Sequence, residues 1–311
     1  MDEPRGRDQV RIGFIGAGTL GNGLALALAA RGYRVVAVSS RSPSSAEDLA
    51  GRIPGCEALA RPQELADICD LAFITTPDDV ISQVAAQVQW HHGQGVVHCS
   101  GAEPLDILEP AARLGAITGS FHPFQTFACL EAHEETVERL EGTTFSVEGQ
   151  GWLLAFLEGV AHRLGGKAIL VRPEDRAIYH ASAVMSCGYL VALLKAAADI
   201  WQAMGVPQDE ALPVILHLAS STLTNLSRAG IDATVTGPLV RGDTTTVQRH
   251  LEALESRLPR LISLYCSLSL ESLPLAQERV SREKLEAMEK LIKDYTSRYI
   301  SQTHANILAT D

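Results

Sequence analysis

Residues 16–21 read Gly-Ala-Gly-Thr-Leu-Gly, a turn able to hold a pyrophosphate. An apolar run, residues 10–16, precedes it, and an Ala/Leu-rich stretch ending at Gly32 follows. In that setting Gly16 permits a tight turn, Gly18 lets phosphate approach the backbone, and Gly21 lets helix and strand pack closely. The N–H groups of Ala17, Thr19 and Leu20 face the same place, and the helix N-terminus adds partial positive charge. The next apolar run ends in Ser39-Ser40-Arg41-Ser42, with no Asp or Glu to take ribose hydroxyls as an NAD site requires. Arg41 can pair with a 2′-phosphate or stack on adenine, and Ser40 and Ser42 can hydrogen-bond beside it. These residues favour NADP over NAD, although the same serines also suit a helix cap.

In an open α/β sheet, ligands bind beyond the carboxyl ends of the strands. Three later strand ends carry Thr76-Pro77, Ser100-Gly101 and His122-Pro-Phe-Gln125-Thr126. Thr76 and Pro77 are expected to pass close to the cofactor. Ser100 offers a hydroxyl, and Gly101 allows close approach of a ligand. His122 is the sharpest candidate for a proton donor, since imidazole titrates in the range a reductase needs; Gln125 and Thr126 could hold substrate beside it. Arg176 and His180 are four apart and share a helix face. There His180 is an alternative acid, and Arg176 could hold a carboxylate. Arg241, in Gly-Pro-Leu-Val-Arg-Gly-Asp, could reach an anionic substrate or tie down its own loop.

Positioning these groups requires a doubly wound sheet. Expected strands cover 10–16, 34–40, 56–60, 70–75, 95–99 and 115–121, alternating with helices at 19–31, 44–52, 62–67, 78–89 and 104–113. Such alternation implies a mostly parallel α/β sheet with helices on both faces. Strand 143–147, helix 151–164 and strand 167–171 should extend it. Beyond Arg172-Pro173 the pattern is helical. Residues 174–204, apolar nearly all round, read as one central buried helix; helices at 209–227, 244–264 and 281–300 follow. The expected domains are 1–173, binding dinucleotide, and 174–311, helical, for substrate and dimerisation.

Composition sets further bounds. The chain has 311 residues and a formal net charge of −11, which argues against a nucleic-acid partner. Arg5, Arg7 and Arg11 are interrupted by Asp8 and read as a solvated tail. No secretory pattern follows the start, and the apolar stretch 181–194 is too short and Ser-rich to span a bilayer. Six scattered cysteines lack a C-x-x-C pair and read as reduced core residues of a cytoplasmic protein, with no metal site.

The Gly16–Gly21 turn, Thr76-Pro77-Asp78-Asp79, His98-Cys99-Ser100-Gly101, residues 121–127, Tyr179-His180-Ala181 and residues 236–243 together resemble the Rossmann-like oxidoreductases that carry a helical C-terminal domain of unknown function. More distantly they are similar to pyrroline-5-carboxylate reductases, ketopantoate reductases and β-hydroxyacid dehydrogenases. The resemblance implies an NADP-linked two-domain reductase, its C-terminal part like that of 6-phosphogluconate dehydrogenase, dimeric through that half. In such relatives Lys and Asn are common at the positions of Arg176 and Gly188. Arg cannot act as a general acid, so the proton should come from His122, His180 or water. The expected activity is hydride transfer between NADP(H) and a small carbonyl substrate in an interdomain cleft. The alternatives are a cyclic-imine reductase and a non-catalytic NADP-binding regulator.

Overall fold

The computed structural model describes residues 9–127 and 133–307. Arg5, Arg7 and Cys129 lie outside the described residues. The apolar runs form strands β1 (Arg11–Ile15), β2 (Arg34–Ser39), β3 (Glu57–Leu59), β4 (Leu71–Ile74), β5 (Gly95–His98), β6 (Ile117–Pro123), β7 (Thr144–Gly149) and β8 (Lys167–Leu170). They make one eight-stranded sheet in the order β3-β2-β1-β4-β5-β6-β7-β8. Strands β1 to β6 are parallel, β7 runs antiparallel to β6, and β8 is parallel to β7. The order 3-2-1-4-5-6 is that of the Rossmann fold, and the expected additional strands extend the sheet.

Between the strands come helices α1 (Thr19–Ala30), α2 (Pro43–Gly51), α3 (Pro62–Ile68), α4 (Asp78–Gln87), α5 (Glu109–Arg113), α6 (His133–Leu140) and α7 (Gly151–Arg163). The helix expected over 104–113 is a 3-10 turn, Leu105–Leu108, followed by α5. Burial on both faces requires near-continuous apolar strands. On one face Phe14, Phe73, Cys99, Phe121, Phe145 and Val147 pack with Leu24, Trp152 and Leu157. On the other, Ile15, Ile74 and Val96 pack with Leu65, Ile81 and Leu108. Phe121 lies at the centre of the first layer, stacked on Phe145 at 4.6 Å and edge-on to Phe73 at 6.1 Å.

After β8 come α8 (Arg176–Ser186), α9 (Gly188–Ala203), α10 (Gln208–Thr234), α11 (Thr244–Arg257), α12 (Ile262–Ser272) and α13 (Arg282–Ile307). The chain divides into two compact units, 1–187 and 188–311. The division falls after α8, where the expected boundary lay at 173, because Arg176 ties α8 to strands β5, β6 and β7.

The single buried helix expected over 174–204 is corrected on two counts. The helix breaks at Cys187 (φ −120°, ψ −80°). Ser182 and Ser186 donate back to the carbonyls of Tyr179 and Ser182 just before the break, a pattern that bends helices, and helix-poor Gly188 follows it. Its apolar side chains are also exposed, among them Ile178, Met185, Tyr189 and Val191. Residues 173–203 are long and apolar enough, by length and composition alone, to cross a bilayer, whereas the shorter stretch 181–194 was expected to fall short.

In the second unit the core comprises Val247, Leu251, Ile262, Met288 and Ile292. The helix expected over 244–264 is split by Pro259 into α11 and α12. Asp243 caps α11 by accepting from Thr246 N at 3.0 Å, and Asp199 takes both Lys195 and Arg260 at 2.6 Å.

Truncating Phe121 tests the first layer. Phe121→Ala should cost about 3–5 kcal/mol, read as a lowered urea midpoint with an unchanged m-value. A loss under about 1 kcal/mol would show that the stack is not central to the core.

Candidate active site

Two regions of the first unit, both toward the edge of the sheet where the parallel strands β1 to β6 end, gather the candidate residues. The first is a groove of about 710 Å³ lined by Gly16, Ala17, Gly18, Ser40, Arg41, Ser42, Thr76 and Pro77, among others. Its three glycines act differently. Gly16 has φ +115°, and a Cβ there would lie 2.7 Å from the Thr75 carbonyl carbon. A Cβ on Gly21 would collide with the Gly16 carbonyl and Thr75 Oγ1. Both glycines are therefore required by packing against the β4 end, where Thr75 Oγ1 donates to Gly16 O at 2.7 Å. Around Gly18 a Cβ would meet nothing within 4 Å; that space is open. Asn22 Nδ2 holds the turn by donating to Ala17 O at 2.7 Å and Gly18 O at 3.2 Å.

Gly18 is the N-cap of α1 and offers no side-chain cap, so the first-turn N–H groups of Thr19 and Leu20 are left for a ligand. Thr76 Oγ1 is buried beside the groove without a partner. At the far end, Ser42 caps α2 by accepting from Ser45 N at 3.3 Å, and Ser40 Oγ accepts from Ser42 N at 3.3 Å. Arg41 is exposed and makes no hydrogen bond or ion pair among the described residues. An open cradle, an orphaned hydroxyl and an uncommitted guanidinium fit an anionic dinucleotide.

The second region is a polar layer. The tripeptides His98-Cys-Ser100, Ser120-Phe-His122 and Ser146-Val-Glu148 each run polar, apolar, polar. Strand register pairs His98 with Ser120, Ser120 with Glu148 and His122 with Ser146. All six polar side chains therefore share one face, while Cys99, Phe121 and Val147 point into the opposite core. Arg176, Tyr179 and His180 of α8, spaced i, i+3, i+4, cover this layer. Arg176 is 2% exposed. Its guanidinium donates to Glu148 Oε2 at 2.8 Å, to Ser100 O at 3.1 Å, and to Ser120 Oγ. Its charge is thus engaged by the chain itself.

Ser100 is equally committed. Its Oγ donates to Asp78 Oδ2 at 2.7 Å and accepts from Ala102 N and Glu103 N. These bonds fix the turn that carries Gly101. A Cβ on Gly101 would sit 2.7 Å from His122 Nε2 and 2.9 Å from His180 Cδ2, so both rings abut its bare α-carbon. His122 Nδ1 lies 2.9 Å from Tyr179 Oη, and Phe124 packs on Tyr179 at 5.5 Å. Gln125 is turned onto its own loop, donating to Arg139 O and accepting from Thr126 N. Arg241 lies in the second unit, exposed at the end of the 3-10 turn Leu239–Arg241.

Burial, with Arg176 and His122 nearby, pushes His98 down to about 3. Burial, then His180 and Arg176, push His122 down to about 4. Tyr179 is pushed up to about 12 by burial, against the opposing pull of Arg176 and Ser146. Glu148 lies in no motif, and His98 and Tyr179, though inside the His98-Cys99-Ser100-Gly101 and Tyr179-His180-Ala181 segments, were not among the candidate site residues. The repeated polar-apolar-polar pattern in otherwise apolar strands is the signal that marks two of them.

Both depressed histidines take up a proton on unfolding below about pH 6.5, their ordinary value, so each makes stability fall with acidification down to its folded value. His98→Asn should flatten the stability-against-pH slope by one proton between pH 4 and 6, about 1.4 kcal/mol per pH unit. An unchanged slope in urea titrations would show that His98 is protonated in the fold. Arg176→Met should cost about 3–5 kcal/mol by stranding Glu148, and Arg176→Met/Glu148→Gln should recover part of it. A single variant as stable as wild type would remove Arg176 from its anchoring role.

Residues 3–123 match the Rossmann-like domain family, and residues 143–272 match the domain of unknown function DUF2520. The sequence matches no curated protein. A protein of Bacteroides fragilis designated an NADP oxidoreductase is similar in structure, at 26% identity and TM-score 0.68, over 86% of this chain and 100% of its own. A Thermotoga maritima protein shares the fold at 24% identity and TM-score 0.69, over 86% of this chain and 98% of its own. So does a pyrroline-5-carboxylate reductase of Coxiella burnetii, at 16% identity and TM-score 0.55, again over 86% and 98%. An open phosphate cradle on a Rossmann-ordered sheet, followed by helices, thus agrees with the sequence matches: the chain carries a Rossmann-like domain followed by a DUF2520 domain.

Proposed function

We propose that this protein is an NADP(H)-dependent oxidoreductase acting on a small carbonyl or imine substrate. The observation that carries the reading is the open space over Gly18, in a groove that ends at the uncommitted Arg41. The turn Gly16–Gly21 would hold the pyrophosphate, Ser40, Arg41 and Ser42 the 2′-phosphate, and Thr76-Pro77 the middle of the dinucleotide. The cofactor would supply or accept the hydride. The likeness to an NADP oxidoreductase at 26% identity supports the same reading.

The polar layer supplies the rest of the chemistry. His122 and His180 flank the Gly101 α-carbon, where a reacting carbonyl or imine can approach closely. Either ring is placed to give it a proton. Ser100 acts by fixing that turn, since its hydroxyl is already bonded to Asp78. Arg176 anchors α8, and the carboxylate-binding role expected for it passes to other groups; Gln125 and Thr126 are the remaining polar candidates of this unit for substrate contact.

The protein acts as a homodimer in this reading. Within the second unit, Tyr189 and Val191 on α9 and Val214, Leu218, Leu223 and Ile231 on α10 are exposed, and large exposed apolar patches mark interfaces. The described cysteines are unpaired, which suits a cytoplasmic setting.

Fluorescence titration should show NADPH binding more tightly than NADH. Arg41→Ala should weaken NADPH by about tenfold or more, the scale of a lost charged hydrogen bond, and leave NADH little changed. Equal loss for both would remove the 2′-phosphate role. With a panel of 2-keto acids, aldehydes and cyclic imines, the alanine variant of the true proton donor should lose about 10²–10⁴ in turnover. Full turnover in both His122→Ala and His180→Ala would sink the assignment, and binding without turnover on any substrate would favour a regulatory role. Light scattering should give a dimer that Leu218→Asp weakens; a monomeric wild type that partitions onto neutral lipid vesicles would assign the apolar surface to a membrane.

A further inference from the structure

His122 faces polar and titratable groups on three elements. Tyr179, His180 and Arg176 face it from α8, His98 from β5, and Ser146 from β7. Arg176 is paired with Glu148, and Asp78 is bonded to Ser100. The closest polar contact is Tyr179 Oη to His122 Nδ1, 2.9 Å, with the two rings edge-on at 87°.

A phenol is a good donor and a poor acceptor, and a neutral imidazole nitrogen is a good acceptor. The shared proton therefore belongs on Oη, which leaves the imidazole proton on Nε2. That nitrogen is the one that abuts Gly101.

We propose that Tyr179 holds His122 in its Nε2–H tautomer and acts through it as a proton source, so that the donor beside Gly101 is an uncharged imidazole. The inference rests on the reductase reading for the identity of the proton acceptor. When hydride bonds to a carbonyl or imine carbon there, the π pair moves to oxygen or nitrogen and takes the Nε2 proton. The Oη proton moves to Nδ1, leaving a phenolate with Arg176 nearby. One solvent proton then bonds to Nε2, and the Nδ1 proton returns to Oη. Burial supports the arrangement, since a His122 pushed down to about 4 carries no charge at neutral pH.

The test is a long-range 1H–15N spectrum of the full chain labelled at histidine nitrogen, with and without NADPH. His122 is assigned by difference against His122→Asn or, should that variant not fold, against His122→Gln. We expect Nδ1 unprotonated and Nε2 protonated, unchanged from pH 8 to 5. Tyr179→Phe should mix the tautomers without altering the thermal midpoint by more than a few degrees, whereas His180→Asn should leave the tautomer in place. In turnover, Tyr179→Phe should lower kcat about 10²-fold with KM little changed, and the wild-type kcat should show no limb near pH 6.5. An Nδ1–H tautomer, an imidazolium at pH 7, or an unmoved His122 signal in Tyr179→Phe would overturn the proposal. Full kcat in Tyr179→Phe would overturn its relay step. The expected spectrum with no turnover on any substrate would instead sink the reductase reading and leave the tautomer standing.

Discussion

A guanidinium with 2% of its surface exposed is the constraint from which the rest of this site follows. Taking such a cation out of water costs several kcal/mol unless its geometry is well matched and its donors are bonded. Arg176 meets most of that demand with the Glu148 carboxylate, the Ser120 hydroxyl and the Ser100 carbonyl; among the described residues only its buried Nε is left without an acceptor. Those partners come from strands β6 and β7 and from the turn after β5. Only one docking of α8 satisfies all of them, and that docking places Tyr179 and His180 over His122. The ion pair adds little net stability over an apolar alternative; what it contributes is a unique register between helix and sheet. The same bonds keep α8 with the first unit, although it is continuous in sequence with the helices of the second.

Backbone and side chains divide the work. The turn at the head of the groove is shaped by main chain: two glycines that must be bare because the β4 end presses on them, and a third left bare with nothing of the chain above it. The polar layer is the reverse, a set of side chains aimed by strand alternation and locked by hydrogen bonds. This difference explains why the two regions were unequally legible. A main-chain turn with a fixed glycine pattern leaves a signature in consecutive residues, so Gly16–Gly21 and the doubly wound, mostly parallel sheet that carries it could be read directly. The layer is assembled from residues on three strands and a helix. His122, His180, Ser100 and Arg176 stood out as chemical groups, but their partners did not, because register and helix docking decide who meets whom. Arg176 shows the limit most clearly: its chemistry suited a carboxylate, and the carboxylate it found was Glu148.

The helical half failed to read for other reasons. A stretch apolar on all sides signals burial, and residues 174–204 were expected to lie at a centre. Hydropathy reports that a surface must be covered without saying by what, and Ile178, Tyr189 and Val191 are exposed within the single chain. The break at Cys187 was masked by good helix formers on either side, although Ser182, Ser186 and Gly188 weaken the helix locally. Pro259 had the opposite status, a plain local breaker outweighed by the helical period around it.

One electrostatic consequence ties the layer to its chemistry. Arg176 lies close enough to His98 and His122 to oppose a proton on either, and Glu148 balances Arg176 in turn. A layer with three histidines, an arginine, a glutamate and a tyrosine is therefore close to neutral where His98 and His122 face it. Negative charge developing on an oxygen or nitrogen beside Gly101 would meet oriented N–H and O–H dipoles rather than a free cation. In a water-poor site such dipoles act strongly because they need no reorganisation when the charge appears. They are also insensitive to salt, which screens exposed charges and barely reaches buried dipoles. The buried arginine thus does more than hold a helix: it adds to the burial that keeps His98 and His122 uncharged.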